Sequence, residues 1–369
     1  MTWHFEVVEP QQRVHHNGPI RATVVGGQLQ VMFRTGPFGM GGAGGQRSVG
    51  LMLSRRVGDD WISEEVQGTA DAGHLVDVSG QDGILDWVYL APSGNEVRPQ
   101  HLRSTTAGLV ASDIPVVSEQ LAAVGLACSW WDGALFVLYD VEQPDGQRDL
   151  WAAVGDAVQS WQRELVQVHT PGHSTGIDAA SIVWRDQISV FFLRQDDPGH
   201  ARLEHAFQRK GIPGWQSHVV DGVSPLGAPT AGAVPKSLVG GLAVAARDTQ
   251  LDVFYLQDHG DDHSNLDIRH ASYILDQGWS ATTLTTLPFV DQPASAGITA
   301  VIHAGTPHLV WTPPNRNAVA VWAVGPTIDV DGFELGAPIS SVSLSAVSTA
   351  GVLHIFYATV AGQLVHAWQ

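Results

Sequence analysis

The chain has 369 residues, a formal net charge of −18, 15% charged residues, 40 glycines and 13 tryptophans. Lys210 and Lys236 are its only lysines and its arginines do not cluster, so a nucleic-acid backbone or an anionic membrane surface has no basic face to meet. The lone Cys128 excludes an intramolecular disulfide, and no stretch approaches the ~20 apolar residues of a membrane span.

Met1-Thr2-Trp3-His4-Phe5 carries neither a basic nor a long apolar leader. That predicts a soluble, cytoplasmic chain, or a secreted one if a signal peptide was removed, with a monomer as the default. The next signal is a repeat: apolar, any, apolar, any, aromatic. It begins at Leu29-x-Val31-x-Phe33, then recurs at Leu85-x-Trp87-x-Tyr89, Leu135-x-Val137-x-Tyr139 and Ile188-x-Val190-x-Phe192. It continues at Leu251-x-Val253-x-Tyr255, Pro307-x-Leu309-x-Trp311 and Leu353-x-Ile355-x-Tyr357. Alternation of period 2 with aromatic and β-branched bias predicts strands.

A second mark follows each copy, a small or turn residue and then a large apolar one. It reads Asp60-Trp61, Gly108-Leu109, Ser160-Trp161, Gly214-Trp215, Gly278-Trp279 and Gly332-Phe333. The seventh copy has none before the chain ends, but Thr2-Trp3-His4-Phe5-Glu6-Val7-Val8 supplies the missing piece at the other terminus. We therefore expect an all-β, seven-bladed propeller over residues 1–369, with four antiparallel strands per blade. Its last blade is expected to combine 337–369 with 1–9, which leaves no open sheet edge. In the fourth unit the strands are expected at Ala179–Trp184, Ile188–Leu193, Arg202–Phe207 and Trp215–Val220. Small-residue runs, 122–127, 240–245 and 341–345, are expected as inner strands, where bulk would collide in the channel.

Leu203-Glu204-His205-Ala206, Ile268-Arg269-His270-Ala271 and Leu364-Val365-His366-Ala367, with the aromatic strands and the Gly-Trp mark, resemble the repeat of fucose-binding lectin propellers of fungi and bacteria. The resemblance implies a propeller fold and a carbohydrate ligand. Arg269 has no counterpart in most units and no sialidase-type Asp-box occurs, so no lectin residue is carried over.

In such blades the A–B turns are short, here Gly26-Gly27, Arg185-Asp186 and Ala304-Gly305, while the opposite rim carries long, unequal loops. Function is expected on the loop-rich rim near the channel. Candidate ligand-binding residues there are His16, His74, His173, Lys236 and Asp291. His16, His74, His173, Asp178 and Glu119 are candidates for acid–base catalysis. His259, Asp261 and His263 are candidate ligands for a divalent metal, though the loop matches no EF-hand or HExxH spacing and a solvated loop tip explains it as well. The glycine-rich stretch 36–45 lacks the Gly-Lys-Ser/Thr ending of a phosphate loop.

His101, His205, His270 and His366 recur at equivalent positions, which points to packing between blades; Cys128 is expected to be a buried, inert thiol. Trp87, Trp130, Trp131, Trp151, Trp311 and Trp322 lie outside the mark, where some could stack on sugar faces. The leading expectation is a glycan- or small-polar-ligand-binding module. The alternatives are a lyase, cyclase or hydrolase at the channel mouth, and a protein-interaction platform.

Overall fold

A computed structural model describes residues 2–9, 14, 20–36, 50–67, 69, 76–81, 83–93, 96–105, 108–115, 127–143, 148–155, 160–167, 179–197, 200–225, 241–259, 265–288, 297–313, 318–325, 327–334, 339–359 and 361–369. The described strands form seven four-stranded antiparallel sheets, the blades of a propeller. Strands A to D run from the channel outwards in each.

Blade 1 comprises Ile20–Val25, Gln28–Arg34, Leu51–Val57 and Asp60–Glu65; blade 2 comprises Val76–Gln81, Ile84–Ser93, Glu96–Thr105 and Gly108–Asp113. Blade 3 is Ala127–Trp131, Ala134–Glu142, Arg148–Gly155 and Trp161–Gln167; blade 4 is Ala179–Trp184, Gln187–Asp197, His200–Arg209 and Gln216–Pro225. Blade 5 takes Leu242–Arg247, Gln250–His259, Asn265–Ile274 and Gly278–Pro288, and blade 6 takes Ile298–His303, Thr306–Trp311, Ala318–Val324 and Ile328–Glu334. Blade 7 joins the chain ends: Ile339–Thr349, Val352–Thr359 and Leu364–Trp368 are completed by His4–Glu9 as strand D.

The inner strands touch in cyclic order, from blade 1 round to blade 7 and back to blade 1. Small residues allow the approach. Ser129 and Ser181 hydroxyls meet at 2.8 Å, and Ser345 Oγ accepts from the Ala22 amide at 2.9 Å. One ion pair, Arg21 to Asp77 at 3.3 Å, joins the inner strands of blades 1 and 2.

Strand B is buried on both faces, so it reads as a nearly continuous apolar run, as in Val352–Thr359. Strand D alternates, as in Asp60–Glu65, because one face meets water. Seven clusters of buried side chains each straddle one blade junction, so the core lies between the blades. Phe356, Ala358 and Leu364 of blade 7, for example, pack with Ile20, Val31 and Phe33 of blade 1. Burying each large side chain contributes about 1.5–3 kcal/mol.

One sequence expectation is corrected and another lies partly outside the described residues. The described inner strand of blade 3 is Ala127–Trp131, and residues 122–126 of the expected run lie outside the described residues. The hairpin at Asp132 (φ 49°) and Gly133 (φ 80°) ends that strand at Trp131. The mark Gly332-Phe333 ends strand D of blade 6 and does not open it. Gly332 serves close approach there, since a Cβ would sit 2.4 Å from the Val319 carbonyl oxygen. Phe333 meets Trp3 at 4.8 Å between ring centroids.

Candidate functional site

The residues expected to carry function on the loop-rich rim fall outside the described structure: His16, His74, His173, Asp178, Glu119, Lys236, Asp291, Asp261 and His263. His259 ends strand B of blade 5, but its side chain is outside the described set, as is most of 36–45. Among the described residues, no group of three or more His, Cys, Asp or Glu could hold a metal ion. Cys128 is buried, and burial with the nearby charges of Asp77 and Asp86 pushes its thiol well above the ordinary range, so it is a poor nucleophile.

The Gly-Trp mark has a structural meaning that its sequence did not reveal. In three blades its indole N–H reaches back to the preceding blade, to the residue three positions after that blade's own mark, whereas the indole nitrogens of Trp3 and Trp161 have no hydrogen-bond partner among the described residues. Trp61 Nε1 donates to Glu6 at 2.8 Å, Trp215 to Glu164 at 3.1 Å, and Trp279 to His218 Nε2 at 2.8 Å. An indole nitrogen only donates, so His218 Nε2 carries a lone pair.

The equivalent strand-C histidines do pack between strands and blades, and three of the four, His101, His270 and His366, have a particular polar partner on strand B. In blade 2, Asp86 accepts from His101 Nε2 at 2.7 Å, Arg103 Nε at 2.8 Å and Trp130 Nε1 at 2.8 Å. In blade 5, Asp252 accepts from His270 Nε2 at 2.9 Å, Gln250 Nε2 at 2.8 Å and Arg247 at 3.2 Å. In blade 7 the strand-B partner is His354, whose Nδ1 lies 2.9 Å from His366 Nε2. His101 Nδ1 also lies 2.9 Å from Ser112 Oγ, a Ser-His-Asp constellation. Asp86 and His101 are both fully buried, and the pattern recurs without the serine in blade 5, so it acts as framework.

Blade 4 breaks this rule. Ser189 stands on strand B where Asp86 and Asp252 stand, two residues before the position facing the histidine. Its hydroxyl accepts from Gln187 Nε2 at 2.9 Å. His205 stacks on Phe191 (4.5 Å) and Phe207 (5.1 Å), and its Nδ1 lies 3.4 Å from His218 Nε2. Its Nε2 is buried without a hydrogen-bond partner among the described residues. Burial, with a small push from His218, lowers the imidazole pKa to about 3, so the ring is neutral.

This histidine lines a cleft of about 320 Å³ between blades 4 and 5. The cleft opens at the short A–B and C–D turns, opposite the loop-rich rim. Its walls are aromatic: Trp184 meets Tyr273 edge-on at 5.7 Å, and Tyr273 meets Trp279 at 5.3 Å. Trp184 is held by donating to the Arg247 carbonyl at 2.6 Å. Arg185 lies over Trp184, and Arg209 over Phe207, each 5.3 Å from the ring centroid. Arg185 Nε also donates across the junction to the Asp248 carbonyl at 2.7 Å. Asp186 and Gln187 complete the polar lining.

The equivalent cleft between blades 1 and 2, about 480 Å³, is built otherwise. By strand register, Val25, Arg55, Ser104 and Leu109 replace Trp184, Phe207, Tyr273 and Trp279. Arg55 pairs there with Glu64, and Glu65 adds a second carboxylate. The two clefts are thus chemically distinct. Of the tryptophans outside the mark, Trp87 borders this second cleft, and Trp311 and Trp322 are core. Trp184 was legible as a tryptophan before a charged turn, but its partners come from another blade.

No family model matches the chain, and no curated protein matches its sequence. Solved structures do resemble its fold. A triple arginine-to-alanine mutant of AofleA from Arthrobotrys oligospora is 15% identical over 92% of this chain and 91% of its own, with a TM-score of 0.51. A mutant of the Aleuria aurantia lectin in complex with α-methyl-L-fucoside is 12% identical over 97% and 96%, with a TM-score of 0.47; that lectin is a six-bladed β-propeller. An α-L-arabinofuranosidase mutant from Fusarium graminearum, bound to an iminosugar inhibitor, is 13% identical over 79% and 91%, with a TM-score of 0.47. At these identities the likeness shows the fold alone: this chain, by its seven four-stranded sheets, is a β-propeller whose structural neighbours include the Aleuria aurantia lectin.

Proposed function

We propose that the protein is a carbohydrate-binding propeller and that a saccharide occupies the cleft between blades 4 and 5. One observation carries this reading: Trp184, Tyr273 and Trp279 wall a cleft edged by Arg185, Asp186, Gln187 and Arg209. Aromatic faces suit the C–H faces of a sugar ring, and guanidinium, carboxylate and amide groups suit its hydroxyls. The different lining of the blade 1/2 cleft favours a single site of this kind over repeated equal sites. A site on the loop-rich rim, with His16, His74 and His173, is the second place to test.

The test is calorimetric titration with methyl α-L-fucoside, D-galactose and D-galacturonate, followed by a wider glycan array. Binding to the wild type that weakens at least ~10-fold in Trp184→Ala and in Tyr273→Ala supports the cleft. No binding across the array overturns the carbohydrate reading. Binding untouched by either variant moves the site to the other rim.

A further inference from the structure

Blade 5 contains a complete carboxylate seat. Asp252 is held by Gln250 Nε2 at 2.8 Å, His270 Nε2 at 2.9 Å and Arg247 at 3.2 Å. Blade 4 keeps two of those donors at the same places in its strands, Gln187 and His205, but has Ser189 where the carboxylate stands. Trp184 replaces Arg247, and the next residue, Arg185, brings a guanidinium to the cleft mouth. The result is a seat without its carboxylate. His205 is 4% exposed with an orphaned Nε2, and both His205 and Gln187 line the cleft. A buried nitrogen left in that state costs about 1–3 kcal/mol, which a ligand group can recover.

We propose that the cleft between blades 4 and 5 takes an acidic saccharide, a uronate, whose carboxylate docks on Gln187 and His205 in place of the aspartate that blade 4 lacks. The proposal deepens the carbohydrate reading and rests on it. Two guanidiniums against the one carboxylate of Asp186 add a locally favourable field in a chain of net charge −18. The seat also predicts a proton. His205 alone is neutral, with a pKa of about 3. The groups facing it are His218 on strand D, Phe191 and Phe207 on its own sheet and Trp279 from blade 5, and none is anionic. A carboxylate brought against Nε2 raises the pKa of the pair, so binding takes up a proton and strengthens as pH falls from 7 towards 5.

The experiment is titration of the full chain with D-galacturonate, D-galactose and acetate, in two buffers of different ionisation enthalpy. We expect D-galacturonate to bind at least ~10-fold more tightly than D-galactose, with proton uptake. Ser189→Asp supplies the carboxylate from within the chain, as blade 5 does. It should abolish the preference for galacturonate while leaving D-galactose binding in place. Gln187→Leu, which keeps the stack around His205, should reduce the same preference. Equal affinity for the two sugars, or a preference that survives Ser189→Asp, overturns the proposal and leaves the carbohydrate reading standing. Binding of acetate with proton uptake but of neither sugar overturns the saccharide and retains the seat. No ligand bound by the wild type overturns both.

Discussion

Nδ1 of His366 donates a 2.7 Å hydrogen bond to Oε1 of Glu6, 360 positions away in the chain. The same oxygen accepts from Trp61 Nε1 at 2.8 Å and lies 3.5 Å from Arg56. One carboxylate therefore ties the first strand to the last strand of blade 7 and to blade 1. His366 spends its Nδ1 proton on Glu6, so its Nε2 accepts from His354 Nδ1, giving a directed relay from His354 through His366 to Glu6.

Glu6→Ala should loosen the closure. It leaves His366 Nδ1–H and Trp61 Nε1–H without their acceptor, at a cost of about 1–3 kcal/mol. Urea unfolding followed by circular dichroism measures this. Deuterium exchange should rise first in Leu364–Trp368, where the N-terminal strand pairs.

Stability should fall in acid before the carboxylates titrate. Burial, reinforced by the neighbouring His366, lowers the His354 pKa to about 4, and burial lowers His205 to about 3, both from 6.5. A depressed histidine favours the neutral folded state. Its contribution is complete above pH 6.5 and drains away as pH falls through about 4 and 3. Burial opposes ionisation of Glu6, but hydrogen bonds from His366 and Trp61 and the charge of Arg56 outweigh it, so its contribution is lost at still lower pH than 4.5. The urea midpoint should therefore decline between pH 6.5 and 4, and His354→Phe should flatten that decline.

Asp86→Ala should be among the most damaging single changes in the chain. It strips the acceptor from His101, Arg103 and Trp130 in a fully buried place, and breaking such a pair costs about 3–5 kcal/mol. Asp252→Ser in blade 5 should cost less, because it places there the serine that blade 4 carries at the same position, and the Arg247 it releases is 30% exposed. Parallel thermal melts compare the two.

The anchor of Trp279 should be the acid-sensitive one among the three indole bonds that the repeated mark makes between blades. Trp61 and Trp215 donate to carboxylates, whereas Trp279 donates to an imidazole that becomes a donor once protonated. Burial lowers the His218 pKa against the pull of Glu204. In ¹⁵N-indole spectra the Trp279 signal should therefore move below the ordinary histidine range, and His218→Glu should hold it still. Equal movement of all three indole signals would count against this.

The repeat, the strand order within each blade and the split seventh blade were legible in the chain. Alternation, hairpin turns and the stray Trp3 segment are local signals, and the backbone bonds they specify join neighbouring strands. The small residues of the inner strands likewise announced the channel. One register escaped, in blade 6, because a Gly-Phe pair has the same pattern wherever the turn falls. The site was the larger omission. His205, Ser189 and Gln187 look like ordinary members of a repeat; only the alignment of blade 4 with blades 2 and 5 in space exposes the carboxylate that is missing. Trp184, Tyr273 and Trp279 meet because two sheets pack face to face, and the cleft belongs to neither blade alone. Period and turn chemistry act over a few residues, so they can be read along the chain. A cleft between blades is decided by side chains from two sheets at once, and that pairing exists only after the ring has closed.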